Sequence, residues 1–342
     1  VSVHWLGLDV GGANLKLADG RGWARSRAFP LWKQPGELPT AIAAMLDDAP
    51  AADGLAVTMT GELADCFATK REGVNAILDA VVAAAGHREL RVYLTTGELV
   101  APGVARRHPL RAAAANWHAL SCFAGRFAPA GPAMLIDIGS TTSDLVPLVD
   151  GVPMPRGWTD PERLAAGELV YTGVQRSPIC ALVSETRWRG VKCGVAQELF
   201  ATTRDAYLAL GELPEEPENT ATADGRPATR AAAHDRLARM ICADRETFDE
   251  RAALRLAYET QEAQLALLER GARRVLRRLE AAPQTFMVGG WGEFLARHLT
   301  ARLAERCSLV SLAERLGPGP SRCAPAHALA VLANEAVGEA GT

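Results

Sequence analysis

The chain has 342 residues, 48% of them hydrophobic and 23% charged, with a formal net charge of −3. That length exceeds a usual single core and predicts two domains or two lobes, while a charge balance this even gives no reason to expect a nucleic-acid partner. No apolar run reaches the length of a membrane span.

The first residues, Val1 to Asp9, read as a strand with neither a basic n-region nor a small-residue cleavage site, so a cytoplasmic protein is expected. The seven cysteines are odd in number and scattered, which predicts thiols rather than a disulfide framework.

In chain order, residues 6–20 run from an apolar strand through Asp9, a turn with Gly11 and Gly12, and a second alternating strand to Asp19-Gly20. This is a β-hairpin pattern. A third strand is predicted around 23–31, a helix at 38–47, a buried strand at 54–59, a helix at 71–85 and a strand at 91–94. The alternation indicates an α/β lobe with a mixed sheet. Residues 109–127 read as one helix. The Ala128-Pro129-Ala130-Gly131-Pro132 break then sets the boundary between an N-terminal lobe, 1–130, and a C-terminal lobe, 131–342.

Residues 135–151 repeat the opening pattern, from an apolar strand through Asp137 and a Gly139-Ser140-Thr141-Thr142-Ser143-Asp144 turn to Asp150-Gly151. Such a duplication predicts two related lobes facing each other across a cleft. Further helices are predicted at 196–210, 229–242, 246–280, 292–305 and 326–337. The polar segment between 213 and 230 reads as a long loop, and loops of that length inside a domain are often lids.

A turn rich in Gly, Ser and Thr lets backbone N–H groups converge on an anion without interference from Cβ atoms. The two turns, 9–16 and 137–144, therefore read as a grip on phosphate or diphosphate. Gly11, Gly12, Asn14 and Lys16 form one side, and Gly139, Ser140, Thr141, Thr142 and Asp144 the other. A carboxylate cannot bind phosphate directly, so Asp9 and Asp137 are expected to hold a hydrated Mg2+ between themselves and the phosphate oxygens. A third element ends an apolar strand in Gly289, Gly290 and Gly292 at a helix start. That arrangement suits an anion or nucleotide, or is a tight strand-to-helix turn.

In this order the motifs resemble the superfamily of sugar and acetate kinases, heat-shock ATPases and actin. Residues 137–144 are most similar to its hydantoinase/5-oxoprolinase branch. The resemblance implies a two-lobed α/β fold, ribonuclease H-like and duplicated, with a central cleft. Residues 58–65, 115–119, 167–174 and 222–227 further resemble the methylofuran-biosynthesis condensing enzymes of tetrahydromethanopterin-linked C1 transfer. This implies a transferase joining an aminomethyl-furanmethyl diphosphate to the phenol oxygen of a γ-glutamyl-tyramine and releasing diphosphate. The partners would be that diphosphate and a phenolic acceptor, with Mg2+ as cofactor. ATP binding is left open but not favoured, and the oligomeric state, a homo-oligomer included, is left open as well.

A phenol has a free pKa of about 10 and needs a base, for which Glu62, Asp65 and His118 are the candidates. Substrate contacts are expected at Thr60 and Gly61, where a buried strand ends, and at Asn116 and Trp117. They are also expected at Glu168, at Tyr171 by stacking, and at Arg176 by its bidentate fork. Asp224 and Arg226 would close over the substrate as part of the lid. Each has a structural alternative, as a helix cap, a core aromatic or a surface ion pair. The competing functions are an ATP-dependent small-molecule kinase, a ring-opening amidohydrolase, and a non-catalytic nucleotide-binding regulator.

Overall fold

The apolar runs 5–10 and 54–59 are buried at every position, as befits strands covered on both faces. The computed structural model describes residues 4–304 and 306–340, with side chains to 337. Val1 to Val3, in the first predicted strand, and Glu305, at the end of a predicted helix, lie outside the described residues.

The first sheet contains β1 (Trp5–Val10), β2 (Asn14–Ala18), β3 (Ala24–Ala28), β4 (Gly54–Met59), β5 (Glu89–Tyr93) and β6 (Leu99–Val100), in the order β3-β2-β1-β4-β5-β6. The later strands are β7 (Pro132–Ile138), β8 (Ser143–Val149), β9 (Val152–Pro153), β10 (Leu169–Val170), β11 (Glu185–Trp188), β12 (Val191–Gly194), β13 (Thr285–Gly289) and β14 (Ser308–Ser311). Five of them form the second sheet in the order β10-β8-β7-β13-β14, with β9 against β8 and β11 paired with β12 as a separate hairpin.

The duplication holds to the residue. Asp9 pairs with Lys16 across the first hairpin and with Thr58 on parallel β4. Asp137 pairs with Asp144 across the second hairpin and with Gly289 on parallel β13. The turns that follow β4 and β13 are also equivalent, because Gly61 N donates to Val10 O and Gly292 N to Ile138 O.

Two helices bind the lobes together and cross the predicted boundary at 130. Trp117, Leu120 and Phe123 of helix Asn116–Ala124 share a core cluster with Leu135 and Val146 of the second sheet. Leu329 and Ala333 of helix Ala324–Ala340 cluster with Trp5, Ala56 and Tyr93 of the first. Gly7 permits that return, since a Cβ there would lie 2.1 Å from Ala326 O.

The predicted helix 38–47 is found as Leu38–Asp47 and 71–85 as Lys70–Ala84, the latter capped by Thr69, whose hydroxyl accepts from Glu72 N at 3.1 Å. The single helix predicted over 109–127 is broken. Pro109–Ala112 and Asn116–Ala124 are separate because Ala113 leaves the helix to bridge Met59, and Ala114 takes a positive φ of 48°. The helix predicted from 196 starts only at Thr203, behind a capping box of Thr202 and Asp205. The long helix is Glu250–Leu276, with buried residues at helical spacing from Ala253 to Val275. Among the described residues no helix is long and apolar enough to cross a membrane.

Candidate functional site

Both Gly-rich turns close in the same way. Gly11 N donates to Asn14 O at 3.0 Å and Gly139 N to Thr142 O at 2.8 Å. Between them lies a cavity of about 430 Å³, lined by Asp9, Gly11, Gly12, Asn14 and Lys16 on one side and by Asp137, Gly139, Ser140, Thr141, Thr142 and Asp144 on the other. The backbone after β10 braces the second loop, with Val174 N donating to Gly139 O and Gln175 N and Arg176 N to Ser140 O.

Asp9 is 2% exposed, and its Oδ2 lies 3.7 Å from Lys16 Nζ. Its other oxygen, Oδ1, is buried without a hydrogen-bond partner, and the same is true of Asp137 Oδ1. Burial raises both carboxyls, with Lys16 opposing at Asp9. Asp137 is pushed to about 7 by burial first and then by Asp144, with Lys16 opposing and Asp9 adding. Burial also raises Asp144, against which Arg163 NH1 works from 2.8 Å.

One orphaned carboxylate oxygen from each lobe suits a hard cation that keeps most of its waters and takes one or two carboxylates beside substrate phosphate oxygens. Among the described residues no group of three or more His, Cys, Asp or Glu side chains forms a protein-only metal cage, and Mg2+ needs none. The donor set fits.

Glu62 also lines the cavity, 1% exposed, with Oε1 at 3.5 Å from Lys70 Nζ and Oε2 buried and unpartnered. Burial raises its pKa to about 7, with Lys70 opposing and Asp160 contributing. Thr60, Asp65, Asn116, Trp117, Tyr171 and Arg176 line the same space. Tyr171 is 69% exposed, so its ring is free at the rim. Gly61 is beside the cavity rather than on its wall, and a Cβ there would meet Gly11 C at 3.1 Å.

Several predicted residues are elsewhere. His118 does not line the cavity. Its Nδ1 shares a hydrogen bond with Tyr93 OH at 2.9 Å, its ring meets Trp117 edge-on, and burial and then Arg163 lower its pKa to about 4. Glu168 is fully buried behind the site. There it accepts from Arg156 N at 2.7 Å and Gly157 N at 3.1 Å and pairs with Arg278. Gly289, Gly290 and Gly292 do not line the cavity, and close packing requires glycine in their turn. A Cβ on Gly290, whose φ is +84°, would lie 2.3 Å from Ile138 O, and one on Gly292 would lie 2.5 Å from Ile138 Cγ2. Arg322 sits over the neighbouring Trp291 ring at 4.9 Å.

Asp224 and Arg226 are bound to the helical insertion rather than to the cleft. Asp224 accepts from Arg226, Arg236 and Arg239, and against the opposing effect of partial burial its bonds to Arg226 and Arg236 hold its carboxyl well below the usual range. Arg226 reaches Asp235 at 2.9 Å from a side chain 41% exposed. Replacing Arg226 with Ala is expected to leave turnover unchanged and to cost at most about 1 kcal/mol, since solvent screens exposed pairs. Steady-state rates and Tm check this together.

The sequence reading missed Trp32, Leu63, Asp160 and Arg163, all on the cavity wall. Arg163 is 1% exposed and lies 4.0 Å over the Trp117 ring while pairing with Asp144. Helix Asp160–Ala166 carries it, and the Thr159/Glu162 capping box that starts this helix is a signal that could have found it. Trp32 stacks under Arg176 at 4.9 Å across the cleft, and no local pattern announces it.

Two duplicated α/β lobes presenting Gly-rich hairpins to a shared cleft define a two-lobed α/β protein with a central cleft. More narrowly, the chain belongs to the hydantoinase/oxoprolinase family, whose family model matches residues 53–336. It is 31% identical over 335 residues, 97% of this chain and 98% of the relative, to the (4-{4-[2-(gamma-L-glutamylamino)ethyl]phenoxymethyl}furan-2-yl)methanamine synthase of Methanocaldococcus jannaschii. To the protein of the same name from Methanococcus vannielii it is 27% identical over 201 residues, 58% of this chain and 89% of that one. A solved structure similar to it is an inorganic polyphosphate/ATP-glucomannokinase from Arthrobacter sp. strain KM, with 16% identity, coverage of 97% and 99%, and a TM-score of 0.43.

Proposed function

We propose that the protein is a biosynthetic transferase that condenses an aminomethyl-furanmethyl diphosphate with the phenol oxygen of a glutamyl-tyramine or similar acceptor. The product would be an aryl-alkyl ether, with diphosphate released. The observation that carries this reading is the pairing, in one cavity, of a phosphate grip with a buried carboxyl, Glu62, held near neutral and with one oxygen free. The named relatives are synthases of a phenoxymethyl-furan methanamine bearing a γ-glutamylaminoethyl group, which is the ether such a condensation forms.

In this reading the two loops hold the diphosphate, and Lys16 adds positive charge beside Asp9. The bond from the furanmethyl carbon to the diphosphate oxygen breaks with its electron pair going to oxygen, and the ring oxygen stabilises the cationic carbon left behind. Mg2+, held by Asp9 and Asp137, would supply charge to the departing group. Trp117, Tyr171 and Leu63 give the furan and phenol rings apolar surface. The phenol oxygen bonds to the carbon, and its proton passes to Glu62.

The base must be ionised, and burial moves its pKa from 4.5 to about 7. Turnover at saturating Mg2+ is therefore expected to rise with pH and level off above about 7. Glu62→Gln should remove that limb and lower kcat by about 10²-fold, as a pH series of initial rates would read. The founding experiment supplies Mg2+ with the furanmethyl diphosphate and a phenolic acceptor, and in parallel with ATP, and follows diphosphate, ADP and product mass. Diphosphate and ether in equal amounts are expected. ATP turnover without condensation would overturn the proposal.

A further inference from the structure

We infer that Lys70 couples the strength of the base to closure of the cleft, because its ammonium bridges Glu62 of the first lobe and Asp160 of the second. This rests on the role proposed for Glu62. Lys70 Nζ lies 3.5 Å from Glu62 Oε1 and 2.5 Å from Asp160 Oδ2, with only 17% of the lysine side chain exposed.

The two contacts differ in kind. Helix Lys70–Ala84 is locked to the Glu62 backbone within the first lobe, since a Cβ on Gly73 would lie 2.0 Å from Glu62 O. The backbones that carry Lys70 and Glu62 are thus held against each other by packing inside one lobe. Asp160 comes from the other lobe, as the first residue of helix Asp160–Ala166. That same helix carries Arg163 to Asp144 at the second phosphate loop and onto the Trp117 ring. A ligand gripped by the second loop therefore acts on a helix whose first residue reaches across to the base.

The electrostatics follow from position. Lys70 on its own helix and Asp160 on the opposing one are the charged groups acting on Glu62, and Asp65 and Arg163 share the cavity wall with it. Lys70 favours the carboxylate and Asp160 disfavours it. With the lobes apart, Lys70 would serve Glu62 alone and make it a weak base. With the lobes closed, Asp160 takes up part of that positive charge, and Glu62 binds a proton more readily. The base thus gains strength only when both lobes hold the substrates, and the ionised phenol is not generated in an open, wet cleft.

The test is the pH dependence of kcat for the full chain with saturating Mg2+, on variants whose Tm shows them folded. Lys70→Met should move the acidic limb to higher pH by about 1 unit or more. Asp160→Asn should move it to lower pH, and Lys70→Arg should restore a near wild-type profile. A purely structural role would not shift the two limbs in opposite directions. Movement in the same direction, or none, while Glu62→Gln shows its loss of about 10²-fold would overturn the coupling. Asp160 is partly exposed, so if Lys70→Met fails to fold, Asp160→Asn still decides the matter, and an unmoved limb refutes it. Wild-type turnover by Glu62→Gln is a different failure, and would overturn the base assignment beneath it.

Discussion

Asp137→Asn is expected to lower Mg2+-dependent turnover by about 10⁴-fold, a loss in line with the several kcal/mol a bound cation contributes to a departing phosphate. The folded protein should be at least as stable as the parent. The native carboxyl is buried with one oxygen unpartnered and with Asp144 and Asp9 close by, which together hold its pKa near 7 instead of 3.8. A carboxyl whose folded pKa is raised binds its proton more tightly in the native state. Its contribution to stability is then full below about pH 3.8 and is lost as pH rises to about 7. The metal-free parent should therefore lose Tm over that window, and added Mg2+ should restore it by binding the folded state. An amide at 137 does not titrate, so the variant should show a shallower slope than the parent, with Asp9, Asp144 and Glu62 still contributing, and a weaker Mg2+ response. Thermal melts from pH 4 to 8 with and without Mg2+, beside steady-state rates, test both halves, and a variant with parental turnover would refute the metal assignment.

Asp137 was legible in the sequence because its surroundings are local. An apolar strand, an acid and a Gly-rich turn within a dozen residues specify a hairpin, and the repeat at Asp9 specifies its partner. What the sequence could not separate were residues whose roles depend on distant packing. Trp117 and His118 are neighbours on one helix, about 100° apart around its axis. Only one can face the cleft, and the structure turns Trp117 toward it and His118 toward Tyr93. Gly290 and Gly11 look alike in a motif, and a Cβ on either would strike a main-chain carbonyl, Ile138 O at 2.3 Å or Asn14 O at 2.7 Å, yet of the two Gly11 alone lines the cavity. Composition marks 213–230 as polar, but not that Arg236, entirely buried on the next helix, takes Asp224 as a partner. Asp160 and Arg163 acquire meaning only once Lys70 and Asp144 stand opposite them.

Gly173→Ala should show that the grip on diphosphate is a property of backbone position rather than of any one side chain. A Cβ at 173 would lie 2.4 Å from Thr141 N, 2.5 Å from Ser140 C and 2.6 Å from Gly139 O. All three are main-chain atoms of the second phosphate loop, so no rotamer change relieves the clash. Residue 173 cannot retreat either. Its carbonyl accepts from Thr203 Oγ1 at 2.8 Å and from Gln264 Nε2 at 2.9 Å, and the other end of the Gln264 amide is held by Tyr207 OH. The loop must therefore move, displacing the N–H groups proposed to converge on the anion. A misplacement of about 1 Å near reacting atoms costs on the order of 10²-fold in rate. Overpacking the buried turn should lower stability by about 1–3 kcal/mol as well. Calorimetric titration with inorganic diphosphate and Mg2+ separates the two effects. Binding should weaken at temperatures where circular dichroism shows the variant folded. A lower Tm with unchanged diphosphate affinity would mean that residues 139–141 do not hold the ligand, and the grip would have to be assigned to the first loop alone.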